Sequence, residues 1–272
     1  MNFGVQCVVV AFGLVTGSFL TLCAYRLPRG MSVVRPGSRC PQCQHPLGAG
    51  DNLPVAGYLL LRGRCRYCRR SIAPRYLLLE LGTGLAFLWS WERRGPGWGF
   101  VQGAFFLACL LLLATTDLES RQLPDEVTLA GWLVGLIFAA RLSPGPGPAL
   151  LTSGIASGGL ALVALVFLRV RGREGMGWGD IKMVGLLGAF LGARGTIVAV
   201  FVGSVSAALA GIVQSAAVFL GRRRRGRSWT QARRATALFM GRAALPFGVF
   251  LAAGAVIAWA WTPQLWRAWL GM

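Results

Sequence analysis

Long uninterrupted apolar blocks constrain this 272-residue chain more than any other feature of its sequence. A helix needs about 20 consecutive apolar residues to cross a bilayer, and several blocks approach or reach that length. Hydrophobic residues make up 55% of the chain and charged residues only 14%, which is not typical of a soluble domain. The sequence therefore predicts an all-α polytopic membrane protein with about eight transmembrane helices, over Phe3–Tyr25, Tyr76–Trp91, Phe100–Thr116, Val127–Ala140, Ala149–Leu168, Ile181–Ala193, Thr196–Leu220 and Ala243–Trp261.

Two of these blocks need separate interpretation. The first has no basic residue before its apolar core and no small-residue cleavage pattern after it, so we interpret it as a retained span and not as a signal peptide. The block Ile181–Ala193 is too short to cross alone. It is either tilted, extended by its glycines, or a half-helix beside a water-filled cavity.

Basic residues are distributed unevenly among the predicted loops. A net charge of +19 would suggest nucleic-acid binding in a soluble protein, but in a membrane protein basic residues accumulate in cytoplasmic loops. If Met1 lies outside, 23 of the 28 basic residues fall in the inner segments Arg26–Arg75, Asp117–Glu126, Arg169–Lys182 and Arg222–Arg242. This asymmetry predicts that both termini lie outside and that the lipid bilayer, not nucleic acid, is the surrounding partner.

The largest polar segment contains two cysteine pairs in the pattern C-x2-C, 21 intervening residues, C-x2-C. Two such turns can offer four thiolates to one tetrahedral Zn²⁺. Two disulfides are the alternative, but the charge distribution places this segment in a reducing compartment, which favours zinc. His45, the only histidine, is a conceivable substitute ligand. The predicted ligands are Cys40, Cys43, Cys65 and Cys68.

Acidic residues are scarce, so each of the nine is informative. Even numbers of predicted spans separate the cysteine segment, Asp117 and Asp180, so we expect all three at the same membrane face. Asp180 has an alternative interpretation as a helix N-cap, and Asp125 fits the first turn of the next helix. Asp117 lies at a helix C-terminus, where the macrodipole disfavours an anion, so a functional role is favoured.

Two other charged residues are candidates for a supporting role. Glu80 lies about one turn into the second predicted span, and acids within a span are functional candidates by default. Lys182 is the only lysine and is close in sequence to Asp180. Gly177 and Gly179 would let backbone and substrate approach Asp180 closely.

Two carboxyl groups that share a site can divide the work of hydrolysis. One acts as base and activates water against a peptide carbonyl, and the other protonates the leaving nitrogen. Without further information, these residues are also compatible with two other classes of protein. One is a membrane-anchored zinc module that binds nucleic acid, and the other is a transporter that uses Asp117, Asp180 and Glu80 as a proton relay.

Taken together, the motifs resemble those of the type IV prepilin peptidases, which belong to the GxGD aspartyl proteases. The matching stretches span nearly the whole chain. They are GSFLTLCAYRLP at 17–28, the two cysteine pairs, DNLPVAGYLLLRGRCRYC at 51–68, DLESRQLPDEVTL at 117–129, GMGWGDIKM at 175–183 and LPFGVFLA at 245–252.

The resemblance implies a bifunctional enzyme of the bacterial inner membrane. Its catalytic pair would be Asp117 and Asp180, and the cysteines would form a structural zinc-binding cytoplasmic domain. It would cleave prepilins and type II secretion pseudopilins, and then methylate the new N-terminal residue with S-adenosylmethionine. The implied division is a first transmembrane helix over 1–27, the zinc domain over 28–74, and the transmembrane peptidase domain over 75–272.

The chain departs from the family pattern at two positions. Thr21 stands where many members carry asparagine, and Val249 where many carry proline. Because Thr21 lies near the region associated with methylation, a peptidase without methyltransferase activity is the alternative. No G-x-G-x-x-G fingerprint is present in a strand context, so the residues that hold S-adenosylmethionine stay unassigned.

Overall fold

The computed structural model describes residues 3–172, 175–225, 228–231 and 245–270, and this part of the chain is mostly helical. Over these residues the β structure is limited to two isolated bridges, in the cysteine segment. The all-helical prediction is therefore confirmed. The helices are α1 (Phe3–Arg26), followed by a 3-10 turn (Leu27–Arg29), α2 (Ala56–Leu60), α3 (Pro74–Arg94), α4 (Trp98–Ser120), α5 (Asp125–Ala139), α6 (Pro146–Arg171), α7 (Trp178–Arg224) and α8 (Phe247–Leu270).

Among the described helices, four are long and apolar enough to cross a membrane: Phe3–Arg29, Trp98–Ser120, Pro146–Arg171 and Trp178–Arg224. A multi-pass membrane protein is thus supported, but the prediction of about eight spans is not confirmed. The difference has physical reasons, because α3 contains Glu80 and ends in two arginines, and α5 has only 15 residues. The predicted span over 243–261 begins at residues outside the described part of the chain.

Two predicted spans, Ile181–Ala193 and Thr196–Leu220, both lie in α7, whose helical backbone is interrupted by a kink at Gly192. Gly192 has φ 63° and ψ −175°, a conformation that L side chains rarely adopt. A Cβ there would also lie 2.8 Å from the Cβ of Pro144. A straight helix of 47 residues would be about 70 Å long, more than twice the thickness of the bilayer core. The bend divides α7 into two segments.

Helix α4 lies between two packed groups of helices. Phe106, Leu110 and Leu113 of α4 belong to a buried cluster with α7 and α8. Ala108 and Leu112, on another side of α4, pack with α1 and α3 in a second cluster. By contrast, only 6% of the apolar window of α6 is buried, and its many exposed aliphatic side chains suit contact with lipid. The end of α4 is therefore a junction between both groups.

Candidate active site

Asp117 lies in the last turn of α4 and is only 5% exposed. Since a helix C-terminus disfavours an anion, this carboxylate needs donors from elsewhere. They come from the first turn of α8, where the Val249 backbone N–H donates to Asp117 Oδ2 at 3.1 Å and the Gly248 N–H also donates. A helix N-terminus binds anions readily, so α8 stabilises the charge that α4 disfavours.

Gly248 makes this approach of α8 sterically feasible. A Cβ at this position would lie 2.9 Å from Asp117 Oδ2 and 3.0 Å from Leu123 Cδ2. Sequence reasoning missed the contact between α8 and Asp117. Pro246 could have indicated it. Proline is common at the start of a helix, and helix N-termini attract carboxylates such as that of Asp117.

Asp180 is the third residue of α7, whose N-cap is Gly177. The alternative interpretation of Asp180 as the N-cap residue is therefore wrong, but the carboxylate does accept a bond from the Gly177 backbone N–H. This is the backward contact of a capping box. The same carboxyl group is close enough to Asp117 for the two to interact electrostatically. The structure thus brings together the two acids on which the hydrolysis hypothesis depends.

Lys182 pairs with Asp125 and not with its sequence neighbour Asp180. The Lys182 Nζ lies 2.7 Å from each carboxylate oxygen of Asp125. Asp125 is in the first turn of α5 and Lys182 in the second turn of α7, so the ion pair ties the starts of two helices together. Both side chains are partly exposed, at 33% for Lys182 and 57% for Asp125. Spacing in sequence gave no sign of this pairing.

The turn between α4 and α5 packs against the start of α7. Arg121 ends α4 in the left-handed conformation, and its N–H donates to the Asp117 carbonyl at 2.9 Å. Two residues later, Leu123 lies so close to Gly179 that a Cβ on Gly179 would be 2.9 Å from the Leu123 Cβ. Gly179 therefore permits close packing beside the acids, while Gly177 lies next to Asp180 itself.

The predicted metal ligands lie in two loops with the same backbone pattern. In the first loop the Gln44 N–H donates to the Cys40 carbonyl at 2.9 Å, and in the second the Arg69 N–H donates to the Cys65 carbonyl at 3.0 Å. Gln44 and Arg69 each follow the second cysteine of a pair, and both have φ of 58°. The two halves of the segment are thus local copies of one turn.

The sulfur atoms of the two loops form one compact group. All four lie within 4.8 Å of one another, and the Sγ atoms of Cys40 and Cys68 are 3.9 Å apart. Tetrahedral zinc with Zn–S bonds of about 2.3 Å places its sulfurs roughly 3.8 Å apart, so the donor set fits one ion. The four thiols are free, which does not support the disulfide alternative.

A hydrogen bond at Cys65 favours metal binding by that thiol, and a ring contact keeps His45 out of the group of ligands. The pKa of the Cys65 thiol is lowered to about 7, chiefly because the Cys68 backbone N–H donates to its sulfur, and the thiolate is the form that binds zinc. His45 does not belong to the group of candidate ligands. Its ring lies against that of Tyr67, with centroids 3.5 Å apart.

Glu80 connects α3 to α1 and to the cysteine segment. Its carboxylate accepts the Val55 backbone N–H at 2.7 Å and a bond from the Ser18 hydroxyl. In the same segment Asp51 pairs with Arg66 at 2.7 Å, and this hydrogen bond raises the pKa of the Arg66 guanidinium. These groups line a cavity of about 220 Å³ between α1, α3 and the cysteine segment.

A further ion pair joins this region to the acids. Arg75 Nε, at the start of α3, lies 2.7 Å from Glu119 Oε1, two residues after Asp117. The two atoms form a close ionic contact, although the N–H is not aligned as in a hydrogen bond. Because Tyr76 lines the cavity, the cavity and the acids lie on the same side of the helix bundle.

Comparison with protein families gives two matches that follow one another along the chain. Residues 11–93 match the bacterial peptidase A24 N-terminal domain, and residues 104–212 match the type IV leader peptidase family. The first match covers the cysteine segment and Glu80. The second covers both Asp117 and Asp180.

Several curated proteins named prepilin leader peptidase/N-methyltransferase are similar to this chain over most of their length. The protein from Klebsiella pneumoniae is 39% identical over 188 residues, which cover 66% of this chain and 82% of that protein. The protein from Neisseria gonorrhoeae is 35% identical, over 75% of this chain and 80% of its own. That from Burkholderia pseudomallei strain 1026b is 34% identical, over 90% and 82%. No solved structure matched the chain.

Proposed function

The chain belongs to the type IV leader peptidase family, and we propose that it removes the leader from type IV prepilins and type II secretion pseudopilins and then methylates the new N-terminal amine. The related proteins named above carry both activities in their names. Cleavage follows a glycine at the end of a short basic leader. The protein is an aspartic endopeptidase and an S-adenosylmethionine-dependent N-methyltransferase.

The juxtaposition of Asp117 and Asp180 carries the peptidase proposal. Neither acid has a cation within ion-pair distance among the described residues, so each carboxyl group is free to exchange a proton with water and substrate. One carboxylate takes a proton from a water held between them, and that water attacks the scissile carbonyl. The other carboxyl group protonates the leaving nitrogen. Backbone donors from α8 and α7 hold both groups in place.

The Asp125–Lys182 ion pair and the glycines beside the dyad have supporting roles. The ion pair fixes the start of α7, and therefore Asp180, relative to α5. Gly179 and Gly248 allow Leu123 and α8 to approach the two acids. We assign no proton transfer to Lys182, because its ammonium is already held by both oxygens of Asp125.

We place the enzyme in the bacterial inner membrane with the dyad and the zinc domain at the cytoplasmic face. The unequal distribution of basic residues supports this orientation, with both termini outside. About eight crossings remain our proposal, with α3, α5 and α8 completing the bundle and α7 crossing twice. The corresponding division is a first helix over 1–27, a zinc domain over 28–74 and a peptidase domain over 75–272.

The zinc ion proposed for the tetracysteine site would be structural. Four thiolates from Cys40, Cys43, Cys65 and Cys68 fill a tetrahedral ion and leave no open position for substrate. The ion would hold the two turns of the segment together. It would also hold the segment that carries Asp51, which lines the cavity, and Val55, which donates to Glu80.

Methylation needs a second set of groups beyond the dyad. S-Adenosylmethionine supplies an electrophilic methyl group on sulfur, and the acceptor is the amine that cleavage releases. That amine must be neutral and aimed at the methyl group, a demand that differs from holding a water between two acids. The cavity beside Glu80 lies on the side of the dyad and supports a separate site for this step.

The function is tested by incubating a candidate prepilin with the chain purified in detergent, followed by mass spectrometry of the pilin N-terminus. We expect loss of the leader and an added methyl group when S-adenosylmethionine is present. Cleavage without any ion gradient would separate this enzyme from a proton-coupled transporter. An intact leader, with a folded enzyme and a cognate substrate, would overturn the proposal.

A further inference from the structure

The cavity between α1, α3 and the cysteine segment has an unusual distribution of charge. Two acids line it, Asp51 and Glu80. Asp51 is paired with Arg66 at 2.7 Å, whereas no cation lies within ion-pair distance of Glu80 in the described part of the chain. A carboxylate beside a cavity, with hydrogen bonds but no counter-ion, attracts a cationic ligand.

Three arginines line the same cavity, and their guanidinium groups differ in how many hydrogen bonds and ion pairs they already make. Arg26 is 6% exposed and donates to the carbonyls of Ser32 and Gly37. Arg66 is bound to Asp51. Arg39 is exposed and makes no ion pair among the described residues, so one guanidinium is available for a ligand carboxylate. The cavity thus offers one carboxylate, of Glu80, and one guanidinium, of Arg39, that are not in an ion pair.

From this arrangement we propose that the cavity binds S-adenosylmethionine, with Glu80 countering the charge of the sulfonium and Arg39 contacting the carboxylate of the methionine part. This assignment rests on the proposed methyltransferase function. The ligand matches the charges, since it combines a sulfonium cation with a carboxylate. Tyr58 also lines the cavity and offers an aromatic surface for the adenine. The rings of Tyr25 and Tyr76, which line it too, already contact the guanidinium groups of Arg29 and Arg75.

The size of the cavity sets how the ligand would lie. Its volume of about 220 Å³ is below the roughly 300 Å³ at which drug-sized pockets usually begin. One end of the ligand would therefore be enclosed and the remainder would occupy the mouth. Glu80 lies on α3, which reaches the end of α4 through the ion pair of Arg75 with Glu119. A sulfonium at Glu80 would therefore lie on the side where the new amine forms.

The structure also explains how the acid is held in place. Gly17 of α1 packs so closely on α3 that a Cβ there would lie 2.7 Å from the Glu80 Cα. The Ser18 hydroxyl and the Val55 N–H bind the carboxylate. Thr21 also lines the cavity, and its hydroxyl donates to the Ser18 carbonyl at 2.7 Å. This departure from the family pattern therefore leaves the Glu80 carboxylate accessible to a ligand.

The test compares the affinities of the full chain for S-adenosylmethionine and for S-adenosylhomocysteine by calorimetry in detergent. The second compound keeps the carboxylate and the adenine but has a neutral sulfur. We expect Glu80→Gln to weaken S-adenosylmethionine binding about tenfold or more and to leave S-adenosylhomocysteine binding within about twofold. Arg39→Gln should weaken both compounds equally, because both carry the carboxylate.

Glu92→Gln is the matched control, since Glu92 lies at the other end of α3 and accepts a bond from Gln6. It should bind both compounds like the wild type. Retained zinc in the Glu80→Gln protein would verify that the cysteine segment is folded. Equal weakening of both compounds, or none, in Glu80→Gln would overturn the inference. If the wild type neither binds S-adenosylmethionine nor adds a methyl group, the methyltransferase function itself fails.

Discussion

The dyad and the cavity lie on the same side of the bundle, but they are built in different ways. Asp117 and Asp180 are presented by the ends of long helices that pack into one buried cluster with Phe106, Leu110 and Met183. The cavity wall formed by residues 31–73 has little apolar core, and its two most buried hydrophobic side chains are Cys40 and Cys65. The site of the two acids therefore depends on helix packing, whereas the cavity wall would depend on the proposed zinc ion.

The largest effect expected is the loss of cleavage when either acid of the dyad is neutralised. Asp117→Asn and Asp180→Asn should each lower the rate of leader removal by about 1,000-fold or more, because the two carboxyl groups act as one unit. The double variant should be no slower than either single one. Leader removal is followed by mass spectrometry, and a folded Asp117→Asn enzyme that still cleaves would exclude this dyad.

Loss of the zinc ligands should damage the cavity region and spare the dyad. We expect about one zinc per wild-type chain by elemental analysis, and none when Cys40→Ser and Cys65→Ser are combined. Methylation of a pre-cleaved pilin should then be lost, while the helix bundle stays folded. Cys7→Ser is the control, because Cys7 is an exposed cysteine of α1 outside the cluster. Freshly purified, reduced wild-type protein without zinc would contradict this prediction.

A smaller effect is expected from the donor that α8 offers to Asp117. Val249→Pro removes the N–H that binds Asp117 Oδ2, and proline is tolerated in the first turn of a helix. A hydrogen bond to a charged group is worth roughly 1.5–3 kcal/mol, but the Gly248 N–H still binds the carboxylate and many family members carry proline at this position, so we expect cleavage to fall by no more than about tenfold. Val249→Ala keeps the N–H and should cleave like the wild type. Equal rates for the two variants would show that this donor does not matter.

The smallest effect is expected at the exposed ion pair between Asp125 and Lys182. Exposed ion pairs contribute up to about 1 kcal/mol, so Asp125→Asn and Lys182→Gln should each lower cleavage by no more than about fivefold. The double variant should match the single ones, since both changes break one contact. Rate measurements on all three test this. An inactive Asp125→Asn enzyme beside an active Asp117→Asn enzyme would reverse the assignment of the dyad.

The sequence was informative where one residue type or one spacing decides the outcome. Apolar blocks predicted the helices, and the C-x2-C pairs predicted the sulfur cluster that the structure contains. Contacts that depend on how helices meet could not be predicted from spacing. The Val249 donor, the Lys182–Asp125 pair and the Arg75–Glu119 pair join segments 132, 57 and 44 residues apart.

The number of membrane spans was harder to predict for a related reason. Apolar length alone does not separate a crossing helix from a helix buried by its neighbours, and α3 and α5 are short or charged enough to be ambiguous. The kink at Gly192 separates the two spans predicted over 181–193 and 196–220, although both lie in α7. The close packing of Gly192 on Pro144, by contrast, could not be predicted from the local sequence pattern.

The central claim, that cleavage and methylation use separate sites, is tested most directly with the Asp180→Asn enzyme and a pilin whose leader has already been removed. Mass spectrometry after incubation with S-adenosylmethionine measures the methyl increment without any need for cleavage. We predict that Asp180→Asn methylates this substrate at a rate close to that of the wild type, whereas a variant lacking residues 37–70 does not. Wild-type methylation with no methyl increment from a folded Asp180→Asn enzyme would contradict the claim and indicate one shared site.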